Sequence, residues 1–219
     1  MGAVPSPPGA PAAPTARSQA KADRRQALLE AAATLFARSG YNGVSIEDLG
    51  AAVGVSGPAV YRHFSGKPAV LAALLVEVSA TLVAGGQAVV EGAPDAAGAL
   101  RALVRFHTDF ALSHPNVIRV QDRDLDSLAP TDRHRVRALQ RTYVELWVRV
   151  LGQVHPAVDA QLLRIRSQAT FGLLNSTPHT LPVSPNGAVR PLLEEMALAA
   201  LGVAGRAGEA HGTGGIAPV

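Results

Sequence analysis

Apolar residues recur at three- and four-residue intervals along most of this chain, the spacing of amphipathic helices. The first run covers 23–39, with Ala27, Leu28, Ala31, Leu35 and Phe36 on one face and Gly40 closing it. Ile46, Leu49 and Val53 mark a short helix after Ser45, and a third helix spans 57–64. Val70, Leu71, Leu74, Leu75, Val78 and Leu82 carry a long helix from 67 to about 90, weakened at Gly85-Gly86 and stopped by Gly92-Ala93-Pro94. Asp95 is positioned to cap the next, 96–113, which His114-Pro115 ends. A charge-rich segment, 117–128, gives way at Ala129-Pro130. Thr131 then caps a helix running to 154, which His155-Pro156 ends. Two more helices, 157–174 and 187–203, flank a loop (175–186) holding three prolines. Period-two alternation is found nowhere, so the expected fold is all-α. The Ala/Pro-rich 1–18 and the Gly-rich 205–219 cannot bury a core and are expected to be disordered tails.

The stretch from Ser45 to Lys67 has the make-up of two helices closed on a tight turn. Gly54 suits the left-handed conformation that ends a helix, and Val55 fills the corner. Ser56 is positioned to cap the next helix, and Pro58 is tolerated in a first turn whose N–H groups lack intrahelical partners. A side chain at Gly50 would hold the two helices apart, and Val60 faces back onto Leu49 and Val53. Such a pair is either a plain helical hairpin or a helix-turn-helix whose second helix enters the DNA major groove. Tyr61, Arg62, His63 and Lys67 favour the second reading, because their donors are spaced to reach adjacent phosphates. Lys67 also opens the following helix, where positive side chain and free N–H groups together suit an anion.

Charge supports the same stretch. Residues 1–67 hold seven Lys and Arg against four Asp and Glu, whereas the other 152 residues carry 13 of each. The whole positive excess therefore lies on the piece that would meet DNA. The basic start, Arg17 to Arg25, is either an arm against phosphate or minor groove, or the solvated start of a helix. The chain has no cysteine, which excludes a disulfide framework, a Cys-based zinc site and a Cys nucleophile. No run is read as long enough to span a membrane and no signal-peptide pattern opens the chain, so a soluble cytoplasmic protein is expected. The run D-R-D-L-D resembles the opening of a calcium loop, but Ser127 stands where Gly is needed and Arg133 where the closing Glu belongs. No metal site, cofactor or catalytic residue is expected: H-E-x-x-H, a Gly-rich phosphate loop and G-x-S-x-G do not occur.

The run G-Y-N-G-V-S-I-E-D-L-G-A-A-V-G-V-S-G-P-A-V-Y-R-H-F-S-G-K-P-A-V-L resembles the DNA-binding domain of the TetR/AcrR family of bacterial repressors. Gly40, Tyr41, Ser45, Ile46, Gly54, Val55, Ser56, Tyr61, His63, Phe64, Lys67 and Leu71 match the family pattern, across roughly 24–75. Ala59, where Thr is common, and Gly66, where Ser is common, depart from it; a methyl at Ala59 touches only apolar base edges. The resemblance implies a three-helix head, 19–66, and a larger helical domain, 67–204, that binds a small molecule and dimerises through the last two helices. It implies DNA contacts from Ser45, Ser56, Gly57, Pro58, Ala59, Tyr61, Arg62, His63 and Lys67. A dimer also follows from physics, since two heads ~34–36 Å apart read both halves of a palindrome.

For the small-molecule pocket the candidates are Phe106, His107 and Phe110, Tyr143 and Trp147, and Phe171 and Asn175, from three helices. His107 on an apolar stripe is read first as a satisfied core histidine, and Tyr143 and Trp147 first as core. Arg119, Arg123, Arg133, Arg135, Arg137 and Arg141 surround the start of the long helix, among Asp122, Asp124, Asp126 and Asp132. They are either a surface of mutual ion pairs or guanidinium forks for an acidic ligand, with Arg119 and Arg123 the nearest candidates. The L-L-N-S-T-P-H-T run and the Arg-rich helix resemble family members that sense acyl-CoA thioesters. The alternative function is a helical small-molecule-binding protein or enzyme that keeps a non-functional head.

Overall fold

In the computed structural model of the protein, which describes residues 15–177 and 189–203, all regular structure is helical. Helix α1 (Ala16–Ser39) is capped by Thr15, whose hydroxyl accepts from the Ser18 N–H at 3.3 Å. It therefore starts well before residue 23, and Arg17 to Arg25 lie on a rigid helix rather than in an extended arm. The rest of the expected N-terminal tail, the C-terminal tail and most of the loop after 177 lie outside the described residues. Helices α2 (Ile46–Ala52) and α3 (Gly57–Val60) follow, then the long α4 (Lys67–Glu91). The remainder is α5 (Ala96–Ser113), α6 (Pro115–Asp124) with a 3-10 turn at Leu125–Ser127, α7 (Pro130–Val154), α8 (Ala160–Asn175) and α9 (Val189–Ala200).

Several boundaries differ from the sequence reading, each for a local reason. Helix α7 begins at Pro130, one residue before the expected cap Thr131, because proline needs no N–H partner in a first turn. Helix α8 begins at Ala160, because the Asp159 carboxylate accepts from the Gln161 N–H at 2.8 Å and fixes the start there. Gly85 and Gly86 do not weaken α4. They sit where α5 and α7 press against it: a Cβ on Gly86 would lie 2.6 Å from Tyr143 Cε2, and one on Gly85 would overlap the Phe106 ring.

Helix α4 also corrects the expectation about spans. At 25 residues, with a mean hydropathy of 2.0 over its most apolar window, it is long and apolar enough to cross a membrane by length and composition. It is apolar because it packs on α1, α5, α6 and α7. Its buried positions, Val70, Leu71, Leu74, Leu75 and Val76 among them, serve that packing.

Two apolar cores divide the molecule. The first joins Leu28, Ala32 and Phe36 of α1, Leu49 of α2, Val60, Phe64, and Val70, Leu71 and Leu75 of α4 with Val117 and Val120 of α6 and Val136 of α7. The second holds Leu100, Leu103 and Val104 of α5, Trp147 and Leu151 of α7, Leu163 and Leu174 of α8, and Leu193 and Ala197 of α9. The head thus shares its core with the first turns of α4 and one face of α6, and the far half of α4, through Leu82, Val83 and Val89, enters the second core.

Candidate nucleic-acid interface and effector pocket

The turn between α2 and α3 is built as its residues dictate. Gly54 has φ +70°, and the Val55 N–H returns to the Gly50 carbonyl at 2.9 Å. A Cβ on Gly50 would stand 2.7 Å from the Val55 carbonyl oxygen, so the close approach requires glycine there. Ser45 and Asp48 form a capping box: Ser45 Oγ accepts from the Asp48 N–H at 3.1 Å, and Asp48 Oδ2 accepts from the Ser45 N–H at 2.8 Å. The Ser45 hydroxyl also donates to Asp48 Oδ2 at 2.6 Å, and that bond, followed by the one from the Ser45 N–H, holds the Asp48 carboxyl below its usual range. Ser56 occupies the N-cap position of α3 but makes no side-chain cap bond, contrary to expectation, and is exposed.

Helix α3 is shorter than the expected 57–64. Beyond Val60 the chain tightens: the Arg62 N–H bonds to the Ala59 carbonyl and the His63 N–H to the Val60 carbonyl, each three residues back. Val60 and Phe64 point into the core, while Ser56, Pro58, Tyr61 and Arg62 point outward, Tyr61 with 57% of its surface exposed. Gly57, Ala59 and His63 are half-buried between them. The first half of α1 lies alongside. Arg24 donates to the Val53 carbonyl at 3.1 Å, and the Arg25 guanidinium sits 5.1 Å from the Phe64 ring centroid. Burial, and then the charges of Lys21, Arg24, Arg25 and Arg62, push the His63 pKa down. Of these, Lys21, Arg24 and Arg62 are exposed beside the α3 surface, whereas Arg25 is half-buried.

Lys67 is placed differently from the other candidates. Its ammonium donates to the Tyr41 carbonyl at 2.9 Å and lies 4.5 Å from the centroid of the Tyr41 ring, binding the α1–α2 corner to the start of α4. Arg25 likewise ties head to body through an ion pair with Glu77 of α4.

The pocket candidates separate into two groups. Phe106 and Phe110 line a groove of about 570 Å3 between α1, α4, α5 and the start of α6. Its floor includes Leu29 and Ala33 of α1 and Leu74 and Val78 of α4, and its rim carries Glu30, Glu77 and Asp109. The contribution of α1 was not foreseen: Leu29 and Ala33 read in sequence as head residues, and no periodicity reveals a cavity shared by four helices.

Behind that wall His107, Tyr143, Trp147, Phe171 and Asn175 form a closed cluster. His107 stacks on Tyr143 with ring centroids 5.7 Å apart and meets Phe171 edge-on at 4.9 Å. Its Nε2 lies 3.1 Å from Asn175 Oδ1 and its Nδ1 lies 3.4 Å from the Tyr143 hydroxyl. A neutral imidazole satisfies both contacts, with Nε2–H donating to the amide oxygen and Nδ1 accepting from the phenol. Burial pushes the His107 pKa down to about 4, against the opposing pull of Asn175, and burial raises that of Tyr143. Trp147 is fully buried, and its indole N–H meets no hydrogen-bond acceptor among the described residues. Arg123 lies elsewhere: its guanidinium donates to the Phe36 and Ala37 carbonyls and pairs with Asp124. Arg119 is on the exposed side of α6 and does not line the groove.

Comparison with known proteins covers both halves. Residues 28–74 match the family described as bacterial regulatory proteins, tetR family, and residues 93–179 match a tetracyclin repressor-like C-terminal domain. The chain is 26% identical over 156 residues to the HTH-type transcriptional repressor KstR2 of Rhodococcus jostii, covering 68% of this chain and 76% of that one. A TetR-family transcriptional regulator from Bordetella parapertussis superimposes with a TM-score of 0.74 at 25% identity, over 82% of this chain and 94% of the other. AibR, solved in complex with isovaleryl coenzyme A and operator DNA, superimposes with a TM-score of 0.66, over 79% and 97% of the two chains. At 18% identity that last likeness concerns the fold.

Proposed function

The chain belongs to the TetR family of bacterial regulatory proteins, and on that premise we propose that it is a cytoplasmic repressor, not an enzyme, that grips a palindromic duplex operator as a homodimer and changes its grip when a small molecule binds. The observation that carries this reading is the exposed face around Tyr61 and Arg62, flanked by Lys21 and Arg24, whose cationic character is felt at His63. Ser56, Gly57, Pro58, Ala59, Tyr61, Arg62 and His63 meet the groove and its phosphates, with Ser45 and Lys67 at the margin.

Dimerisation is supported by an apolar face left open on the last two helices. Leu162 and Ile165 on α8 and Leu192 and Met196 on α9 are each between 45% and 56% exposed, at three- and four-residue spacing. A second copy laid on that face removes it from water and sets two heads for half-sites ~34–36 Å apart.

The effector is an acyl-CoA-like molecule. Its apolar chain enters past Phe106 and Phe110 toward the cluster behind them, where the Asn175 amide and the Trp147 indole keep an N–H to donate to a carbonyl. The precedent is AibR, seen with isovaleryl coenzyme A. Binding there shifts the population between two head separations by no more than the ligand's differential affinity for them.

The test is a titration of the full-length chain with fluorescent palindromic and scrambled duplexes as salt is raised. The proposal expects affinity to fall by roughly 0.9 log units per log unit of salt for each phosphate neutralised, and to change when acyl-CoAs of graded length are added. Replacing Ile165 and Met196 by Glu is expected to give a monomer with weak duplex affinity. Ligand binding without DNA binding at any salt returns the reading to a small-molecule-binding protein or enzyme with an idle head.

A further inference from the structure

A second cleft, of about 360 Å3, opens between α7 and α8 and is lined by Arg137, Gln140, Arg141, Val144, Arg164 and Gln168. The four α7 residues stand at i, i+3, i+4 and i+7, and the two α8 residues at i and i+4, so each helix presents one row to the gap. Three guanidiniums and two carboxamides face it, and among the described residues no carboxylate lines it. The acidic partners stand outside: Asp126 is 3.6 Å from Arg137, and Glu145 pairs with Arg164. Asp126 is largely in solvent and Glu145 about half so, and exposed pairs of that kind contribute little. Arg141 has no ion pair among the described residues. A guanidinium has five donors in a fixed fork, so each arginine retains donors for a further anion. Three like charges around one gap repel one another unless something negative lies between them.

The α8 row centres about 100° round the helix from Leu162 and Ile165, which leaves the cleft open beside the apolar face rather than under it. It also adjoins the closed cluster. Tyr143 precedes Val144 in α7, and Phe171 lies three residues beyond Gln168 on α8, one turn along the same side.

We propose that Arg137, Arg141 and Arg164, with Gln140 and Gln168, form a binding site for a ligand carrying a diphosphate. Planar guanidinium forks take phosphate oxygens in pairs, and the two carboxamides supply neutral donors for the oxygens that remain. From this cleft the apolar remainder of such a ligand reaches Phe171 and Tyr143 past Val144, a second way into the cluster that the groove approaches past Phe106 and Phe110; only the choice of that cluster rests on the effector reading above. A diphosphate of this kind comes either as the phosphate end of a thioester effector or as a free nucleotide or pyrophosphate.

The experiment is calorimetric titration of the full-length chain, at low salt, with pyrophosphate, ATP and unacylated coenzyme A, on the parent protein and on Arg141→Gln and Arg164→Gln. The expected result is saturable binding of one ligand per chain, weakened about tenfold by each substitution, the order set by one charge-assisted hydrogen-bonding group, at an unchanged melting temperature. Coenzyme A bound far more tightly than the other two assigns the site to the effector's phosphate end; similar affinity for all three assigns it to a free diphosphate. No saturable binding of any of them, or equal binding by parent and substituted proteins, overturns the proposal. Duplex affinity is measured on the same samples without phosphate ligand. If Arg141→Gln lowers it, the cleft is a nucleic-acid contact and the proposal falls, whereas loss of duplex binding in the parent protein counts against the regulator reading alone.

Discussion

Arg123 of α6 donates through its guanidinium to the main-chain carbonyl of Phe36, one turn before α1 ends at Gly40. A second N–H reaches the Ala37 carbonyl at 3.3 Å, and buried Asp124 holds the fork from behind at 3.0 Å. The Phe36 carbonyl already accepts from the Gly40 N–H at 2.8 Å and takes the guanidinium on its other lone pair, and the last carbonyls of a helix carry the negative end of its dipole, so a guanidinium is well matched to them. Head and body are joined there by polar bonds as well as by shared apolar contacts.

Arg123→Ala should therefore cost about 2 kcal/mol, a modest sum because the arginine is half-exposed, and most of it from leaving Asp124 buried without its partner. For a chain of this length that lowers the melting temperature by roughly 4–8 °C. Thermal unfolding followed by circular dichroism measures it, and duplex affinity of the same samples reports whether the head has loosened. An unchanged midpoint would mean that the bond contributes nothing.

Gly86→Ala adds one methyl where Tyr143 Cε2 lies 2.6 Å away and Leu146 Cδ2 3.0 Å away. Overpacking of this kind costs about 1–3 kcal/mol even though alanine favours helix. Chemical denaturation should show a lower midpoint with an unchanged slope. A gain in stability would mean that α4 and α7 have room to separate.

Acid should weaken the fold through His107. Its folded-state pKa is about 4, whereas an unfolded histidine titrates near ~6.5. Between those values the unfolded chain binds the extra proton, so stability is complete above about pH 6.5 and falls as pH drops toward 4, by about 3 kcal/mol. His107→Gln should be less stable at neutral pH but should flatten that acid-side slope. Urea midpoints across pH 4 to 7 test both, and parallel slopes for the two proteins would contradict the assignment.

On DNA, Arg62→Ala should reduce the dependence of log affinity on log salt by about 0.9, one phosphate's share. Tyr61→Ala should weaken all sequences alike, as loss of a backbone contact does. Lys67→Ala should in addition lower the melting temperature, because its ammonium also holds the Tyr41 carbonyl. Anisotropy on matched and scrambled duplexes separates these outcomes, and altered base preference on replacing Tyr61 would rule out a purely phosphate contact.

The reading head was the most legible part of the sequence because its requirements are local. Gly54 is needed for one dihedral and Gly50 for one close approach, and the caps at Ser45 and Asp95 act within three residues of themselves. Helix existence followed from apolar spacing for the same reason. What failed depended on distant partners. Gly85 and Gly86 look like helix breakers until Phe106 and Tyr143 are seen against them. Arg123 looks like one of many surface arginines, and only the fold brings it to the end of α1. The groove is assembled from positions as far apart as Gln26 and Val117, and no local pattern encodes such a meeting.

The membership of α4 in both cores has a geometric consequence. Twenty-five residues at 1.5 Å each make a rod of about 37 Å. Pivoted where Gly85 and Gly86 press on α5 and α7, its far end travels about 2–3 Å for a tilt of some 5°. Successive bases along a DNA strand are ~3.4 Å apart. On the proposed DNA-binding reading, a tilt of that size is enough to put the Tyr61 face out of step with the duplex by most of one rung.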